Sequence, residues 1–425
     1  MPFCEVASPQ NAAAADAKLN DGIKIFYETY GRGPTKVLLI IGLAGAHDSW
    51  GPQIQVLTGS VAPNDDERTA AAACCDNEAG FSGGDIEVCA FDNRGMGRSS
   101  IPTKKSEYTT RTMAKDAIAL MDHLGWTEAH VFGHSMGEFM FSALTELQTS
   151  DVNFVTTTGA MIACKLAAMV PDRILSLALL NVTGGGFECL PRLDRQTLSI
   201  AVRFFKAKTP EQRAAVDLDT HYSKGYLEEY VGSNTRRAIL YQEYVKGISA
   251  TGMQSNHGFE GQINACWTHQ VTRKEIELIR SAGFLVSVIH GRHDVIAQIY
   301  HARRLAEKLH PVARMVDLPG GHLVSHERTE EVNKALMELI KATEAKTEPH
   351  DWTNLPETSS GWMVTRISRI RKSSAEGRSV SFTSSISEKL HLFLLYLFGL
   401  FSLALENGRR ALRTIKPARV GHAIT

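Results

Sequence analysis

Seven short apolar runs, at residues 22–28, 36–41, 87–91, 129–133, 174–181, 284–290 and 313–318, recur along this chain with helical patterns between several of them. Met113, Ala117, Leu120, Met121 and Leu124 fall at helical spacing in one such stretch, and Val332, Leu336, Leu339 and Ile340 in another. A strand that is apolar at nearly every position is buried on both faces, and a parallel sheet covered by helices on each side provides that burial. The expected fold class is α/β, with a mostly parallel twisted sheet flanked by helices.

A chain of 425 residues exceeds what one core usually organises, so one main domain with appendages is expected. Between 184 and 283 the strand signal fades and helix starts multiply. Thr209-Pro210-Glu211-Gln212 and Thr272-Arg273-Lys274-Glu275 each pair a capping Thr with a side chain able to reach back. This reads as a helical cap inserted before the last two strands, over the strand ends where ligands bind in such sheets. The expected organisation is a core in two parts, 1–183 and 284–345, with the cap at 184–283 between them. Residues 58–85 read as a surface loop and 346–389, Ser-rich and polar, as a flexible linker.

The C-terminal part, 390–425, differs from the rest. From Leu390 to Leu405 there are 16 residues without a charge, apolar on every helical face. As a helix this segment spans about 24 Å, against a hydrocarbon core of ~30 Å. Lys389, Arg409 and Arg410 could extend it by snorkelling, so a membrane anchor stands beside a helix docked on the body or on an oligomer partner. Oligomeric state is not legible.

Lys+Arg and Asp+Glu balance at 46 each, which gives no reason to expect a nucleic-acid partner. Seven cysteines are scattered without a CxxC pair or zinc spacing, so neither a metal site nor a disulfide framework is expected. The setting this suggests is intracellular and cytoplasmic, with the C-terminal segment as the candidate anchor. No cofactor is implied.

Chemistry enters at Gly133-His134-Ser135-Met136-Gly137, placed at the end of a strand-like run. A nucleophile on a tight strand-to-helix turn needs glycines beside it, because side chains at Gly133 and Gly137 would collide as the backbone folds. A serine at its free pKa is a weak nucleophile and needs a base, which in turn needs an orienting acid. Asp294 follows one downstream strand and His322, after two glycines, follows the next. Both therefore lie at strand ends from which they could converge on Ser135. His326 is a rival base, Asp317 a rival acid inside a strand, and His134 and His293 read as packing or surface residues. Backbone N–H groups of Met136 and of Leu43, in the loop after 36–41, are the expected oxyanion donors.

At these residues the chain resembles the α/β-hydrolase family, particularly its plant-type members. FDNRGMGRSS (91–100), GHSMG (133–137), HGRHD (290–294) and GGH (320–322) stand in the family's order, nucleophile, acid, then histidine. The resemblance covers about residues 22–342. It implies a serine hydrolase acting on a small ester- or lactone-like substrate through an acyl-enzyme, with Ser135 as nucleophile, His322 as general base and Asp294 as orienting acid. A non-catalytic or slow-turnover receptor for a small molecule on the same fold is the alternative. The chain departs from the family by having Ile41-Gly42 where His-Gly is common.

The larger departure follows the elbow. Family members pass directly into a helix of small and apolar residues, whereas here that continuation begins only at Ala160. The intervening 22 residues, 138–159, read as an insertion. Phe139, Met140, Ala143, Leu144 and Leu147 have helical spacing, so the insertion is expected to supply the buried helix and displace 160–170 into a second one. In the other arrangement the insertion loops out and the elbow is strained. Either would bear on activity.

Overall fold

In a computed structural model of the chain, residues 2–6, 22–64, 85–135, 158–191, 194–251 and 255–356 are described. Its sheet comprises β1 (Phe3–Val6), β2 (Ile23–Tyr30), β3 (Thr35–Ile40), β4 (Ile86–Phe91), β5 (Ala129–His134), β6 (Ile174–Leu180), β7 (Leu285–Gly291) and β8 (Ala313–Leu318). The spatial order is β1-β2-β4-β3-β5-β6-β7-β8. β2 pairs antiparallel with both β1 and β4, and every pairing from β4 onward through β3, β5, β6, β7 and β8 is parallel.

Alternation along each strand divides the core between the two faces. Leu38, Ile40, Val131 and Leu177 join one apolar cluster, while Val37, Leu39, Phe132 and Ala178 join the other. Because both sets are buried, the strands read as unbroken apolar runs rather than alternating ones. The first cluster is covered by α2 (Thr110–His123) and α3 (Gly159–Met169), the second by α1 (Gly51–Thr58) and the long C-terminal helix of the core, Thr329–Glu344.

Between β6 and β7 lies the helical cap: α4 (Arg195–Lys206), α5 (Pro210–His221), α6 (Lys224–Glu228), α7 (Arg236–Thr251), α8 (Asn256–Trp267) and α9 (Arg273–Ala282). Thr272 and Glu275 form the full reciprocal capping box. At α5, Thr209 caps the Gln212 N–H, but Gln212 Oε1 accepts from Lys208 N–H, one residue earlier than the box requires. After β7 come α10 (Ile299–Lys308), α11 (Val324–Glu327) and α12 (Thr329–Glu344).

Two expectations are corrected, and one strand is added. The helix buried against β5 is α3, so residues 159–169 are not displaced into a second position. Gly159 starts it with its Cα hard against the sheet: a Cβ there would lie 2.2 Å from His134 O and 2.6 Å from Ile40 O. Facing it, a Cβ on Gly133 would meet Ala163 Cβ and Gly159 O, each at 2.7 Å. This contact accepts only very small residues, which the Gly159-Ala160 pair and Ala163 supply.

The segment after 346 is not a linker from its start. Trp352 is buried and its Nε1–H donates to Val286 O at 2.8 Å, while Asn354 exchanges hydrogen bonds with the backbone of Met315 on the sheet's edge strand. β1 was not anticipated, since four residues carry no periodicity; register with β2, Cys4 opposite Ile25, identifies it. Residues 138–157, most of the 58–85 loop and the apolar segment Leu390 to Leu405 lie outside the described residues. Among the described residues no helix is long and apolar enough to cross a membrane.

Candidate active site

β5 ends at His134, and Ser135 follows at the carboxyl end of the sheet with its N–H donating to Leu180 O at 3.0 Å. Asp294 follows β7 and His322 follows β8, so the parallel sheet brings all three to one edge. His322 Nε2 lies 3.3 Å from Ser135 Oγ, and His322 Nδ1 lies 2.8 Å from Asp294 Oδ2. Since a carboxylate only accepts, Nδ1 carries the proton in this contact and Nε2 is left free to accept from the serine hydroxyl. All three side chains are buried.

Asp294 is held from several sides. Its Oδ1 accepts the Ile296 and Ala297 N–H groups at 2.7 and 2.8 Å, and Oδ2 also accepts from Asn181 Nδ2 at 2.6 Å. Burial alone would push this carboxyl up. The charge and hydrogen bond of His322, the nearby His290 and the Asn181 amide outweigh that, and the group sits below the usual aspartate value. Asp294 is thus a carboxylate at neutral pH, suited to orient an imidazole and to stabilise its protonated form.

The rival candidates are engaged elsewhere. His326 bonds Ser49 O through Nε2 at 2.8 Å, and Asp317 pairs with Arg292 and Arg303 on the surface. His134 is buried between Trp50 and Ser325, and burial holds it far below the ordinary histidine range. His293 is exposed.

The loop after β3 is stapled from two directions. Asp92 Oδ1 accepts from both the backbone N–H and Nδ1–H of His47 at 2.9 Å, while Asn93 Nδ2 donates to Ile41 O at 2.5 Å. From the cap, Gln262 Oε1 accepts Ala44 N–H at 3.3 Å and its Nε2 donates to Arg94 O at 3.0 Å. Ala44 has φ +57°, a left-handed conformation that a non-glycine residue holds only under such constraint. Leu43, between the two staples, is buried against Phe259 and Ile263 of α8. Its N–H makes no hydrogen bond among the described residues. Met136 and Gly137 lie outside the described residues.

The Asp92-Asn93 pair is therefore a brace for this loop, and Arg94 anchors it in turn through two 2.6 Å bonds to the buried Asp116. Sequence reading found neither this brace nor Asn181, because side chains acting on remote backbone leave no local pattern. Among the cap residues, Trp267 and His269 line an open groove of about 560 Å³ with Gly184, Glu188, His301 and Arg304, which Ser135, Asp294 and His322 do not line. Phe204 packs with Ile200 and Ile296, and Tyr241 and Tyr244 pack around Tyr222. The Phe205 side chain lies outside the described residues. Among the described residues no group of three potential ligands could hold a metal ion.

Comparison with known proteins places this geometry in context. Residues 36–160 match the family described as the alpha/beta hydrolase fold. RutD of Caulobacter sp. (strain K31), assigned as a carbamate hydrolase, is 31% identical over 326 residues, covering 76% of this chain and 97% of that protein. BpoC of Mycobacterium tuberculosis (strain CDC 1551 / Oshkosh), assigned as a non-haem bromoperoxidase, is 26% identical over 76% of this chain and 100% of its own length. The crystal structure of the enol-lactonase from Burkholderia xenovorans LB400 superposes with a TM-score of 0.53 at 21% identity, over 76% of this chain and 98% of that one.

Proposed function

The chain belongs to the α/β-hydrolase fold family and is a hydrolase, and we propose that it cleaves small ester- or lactone-like substrates through an acyl-enzyme formed on Ser135. The observation that carries this reading is the continuous chain from Ser135 Oγ through the His322 imidazole to Asp294.

In this reading His322 Nε2 takes the hydroxyl proton as Oγ attacks the substrate carbonyl. Asp294, already a carboxylate, stabilises the imidazolium that forms. The tetrahedral oxyanion is received by the Leu43 N–H, whose lack of a partner among the described residues supports the role, together with the Met136 N–H. His322 then returns the proton to the leaving alkoxide. A water molecule, activated by the same imidazole, releases the acid and restores Ser135.

A fluorophosphonate probe and a panel of esters, lactones and, in view of the Caulobacter relative, carbamates test the proposal. Labelling and turnover that are lost in Ser135→Ala and His322→Gln are expected. Well-folded wild-type protein that takes no label and turns over none of the panel would instead favour a small-molecule receptor.

A further inference from the structure

His322 has two neighbours in the chain, Gly321 and Leu323, and one turn of the cap is tied to both, to Leu323 directly and to Gly321 through Glu327. The Leu323 N–H donates to His221 O, the last residue of α5, at 2.8 Å. The Gly321 N–H donates to Glu327 Oε2 at 2.8 Å. That same oxygen accepts the Ser223 N–H at 2.9 Å, and the other carboxylate oxygen accepts the Ser223 hydroxyl. The fit between the two segments is close: a Cβ on Gly321 would lie 2.7 Å from His221 O and 2.8 Å from Ser223 N. Around the contact Leu323 is buried with Leu218, Tyr222 and Leu227 of the cap.

Glu327 is buried and makes no ion pair among the described residues. A buried carboxylate without a cation persists only when donors satisfy it, and here three converge on its two oxygens. An amide in its place could keep one oxygen on the two N–H groups, but it would lose the charge and leave the Ser223 hydroxyl proton without this acceptor. Two of the three donors belong to Ser223, in the cap, and the third is the residue before the imidazole. If the turn at 221–223 leaves, Glu327 keeps only the Gly321 bond and Leu323 loses its acceptor.

We propose that Glu327 is a positioning residue, through which the seating of the cap turn at 221–223 sets the place of the His322 imidazole, so that cap seating and assembly of the catalytic group are one event. This rests on the reading of His322 as the general base.

The test uses the full chain as wild type, Glu327→Gln, Glu327→Asp and Ser223→Ala. Two readouts are followed: steady-state kinetics on an ester, and the His322 ring C–H signals in histidine-labelled protein, assigned by their loss in His322→Gln. Glu327→Gln is expected to lower kcat by about 10- to 100-fold, the scale of an ångström-sized misplacement. KM should stay within about twofold, and the His322 signals should shift or broaden. Glu327→Asp, which keeps the charge, restores part of the loss. Ser223→Ala moves both readouts the same way by less, and decides the matter if Glu327→Gln does not fold.

An unchanged kcat in Glu327→Gln overturns the proposal whether or not the signals move. So does a loss of activity that only follows the folded fraction while the His322 signals stay in place. If instead wild type shows no turnover, or His322→Gln retains it, the general-base reading is what fails. The ring signals still decide in that case whether Glu327 sets the imidazole.

Discussion

Asn181 donates its side-chain amide to Asp294, Nδ2 standing 2.6 Å from the carboxylate oxygen that also faces His322. The backbone at Asn181 is left-handed, φ +51°, and its own N–H donates to Ile289 O on β7 at 2.9 Å. A strained residue between β6 and the cap is thus locked to the sheet on one side and to Asp294, the proposed orienting acid, on the other. Asp294 then receives four hydrogen bonds, enough to fix both its charge and its direction.

Removing that amide is expected to be felt in catalysis more than in binding. A hydrogen bond to a charged group contributes about 1.5–3 kcal/mol, so Asn181→Ala should lower kcat by about 10- to 100-fold with little change in KM. Steady-state kinetics on the preferred ester check this, with circular dichroism confirming the fold. A kcat within twofold of wild type would mean that the two backbone donors at 296 and 297 suffice to hold Asp294.

Deleting residues 138–159 should leave a folded protein with a reactive serine. Gly159 already stands against His134 O, one residue before Ser135, so a short link through residues 136 and 137 can reach Ala160. The expected outcome is a cooperative melt at or above the full-length midpoint, and fluorophosphonate labelling of Ser135 at least as fast. Aggregation or a non-cooperative melt would show that the long segment has become necessary to the fold.

Stability should fall as the solution is acidified from neutrality. Burial lowers His130 to about 4, His269 to about 3 and His134 well below its ordinary value, so these rings stay neutral in the folded protein while the unfolded chain protonates them. The unfolded state then binds more protons below about pH 6.5, and each ring costs up to about 1.4 kcal/mol per pH unit until its folded value is reached. By pH 5.5 His130 and His269 together amount to about 3 kcal/mol, and His134 adds in the same direction. His290 and His326 shift in the same direction. At His47 burial pulls the value down, but Asp92 and Glu28 raise it further, so its contribution is present below about pH 6.5, is lost as pH rises and partly offsets the others. Urea midpoints at pH 7.5 and 5.5 check the sign, and replacing His269 by Gln should flatten the slope by one ring's share.

The sheet was readable because strands buried on both faces are apolar at nearly every position, and Val37–Ile40 or Val131–Phe132 need no partner to be recognised. The order of Ser135, Asp294 and His322 was readable because each follows such a run. The helix after the elbow was not. Phe139, Met140 and Leu144 have the right spacing, yet spacing records periodicity and not volume. The place beside Gly133 accepts Gly159, Ala160 and Ala163 because their side chains are small enough to let two backbones meet. Asn181 and Glu327 were invisible for a different reason. Their importance lies in which distant atoms converge on them, and that is a property of the folded chain alone.

Ser135 and His322 each expose none of their surface to solvent. On the proposed reading of Ser135 as nucleophile, a serine so enclosed meets a substrate only after an admission step that precedes bond-making. Once formed, a covalent intermediate there would be insulated from bulk water, with the same gate metering its hydrolysis. Selectivity in such an enzyme is exercised at the door as much as at the bench: compounds of equal intrinsic reactivity would be ranked by how readily they are let in.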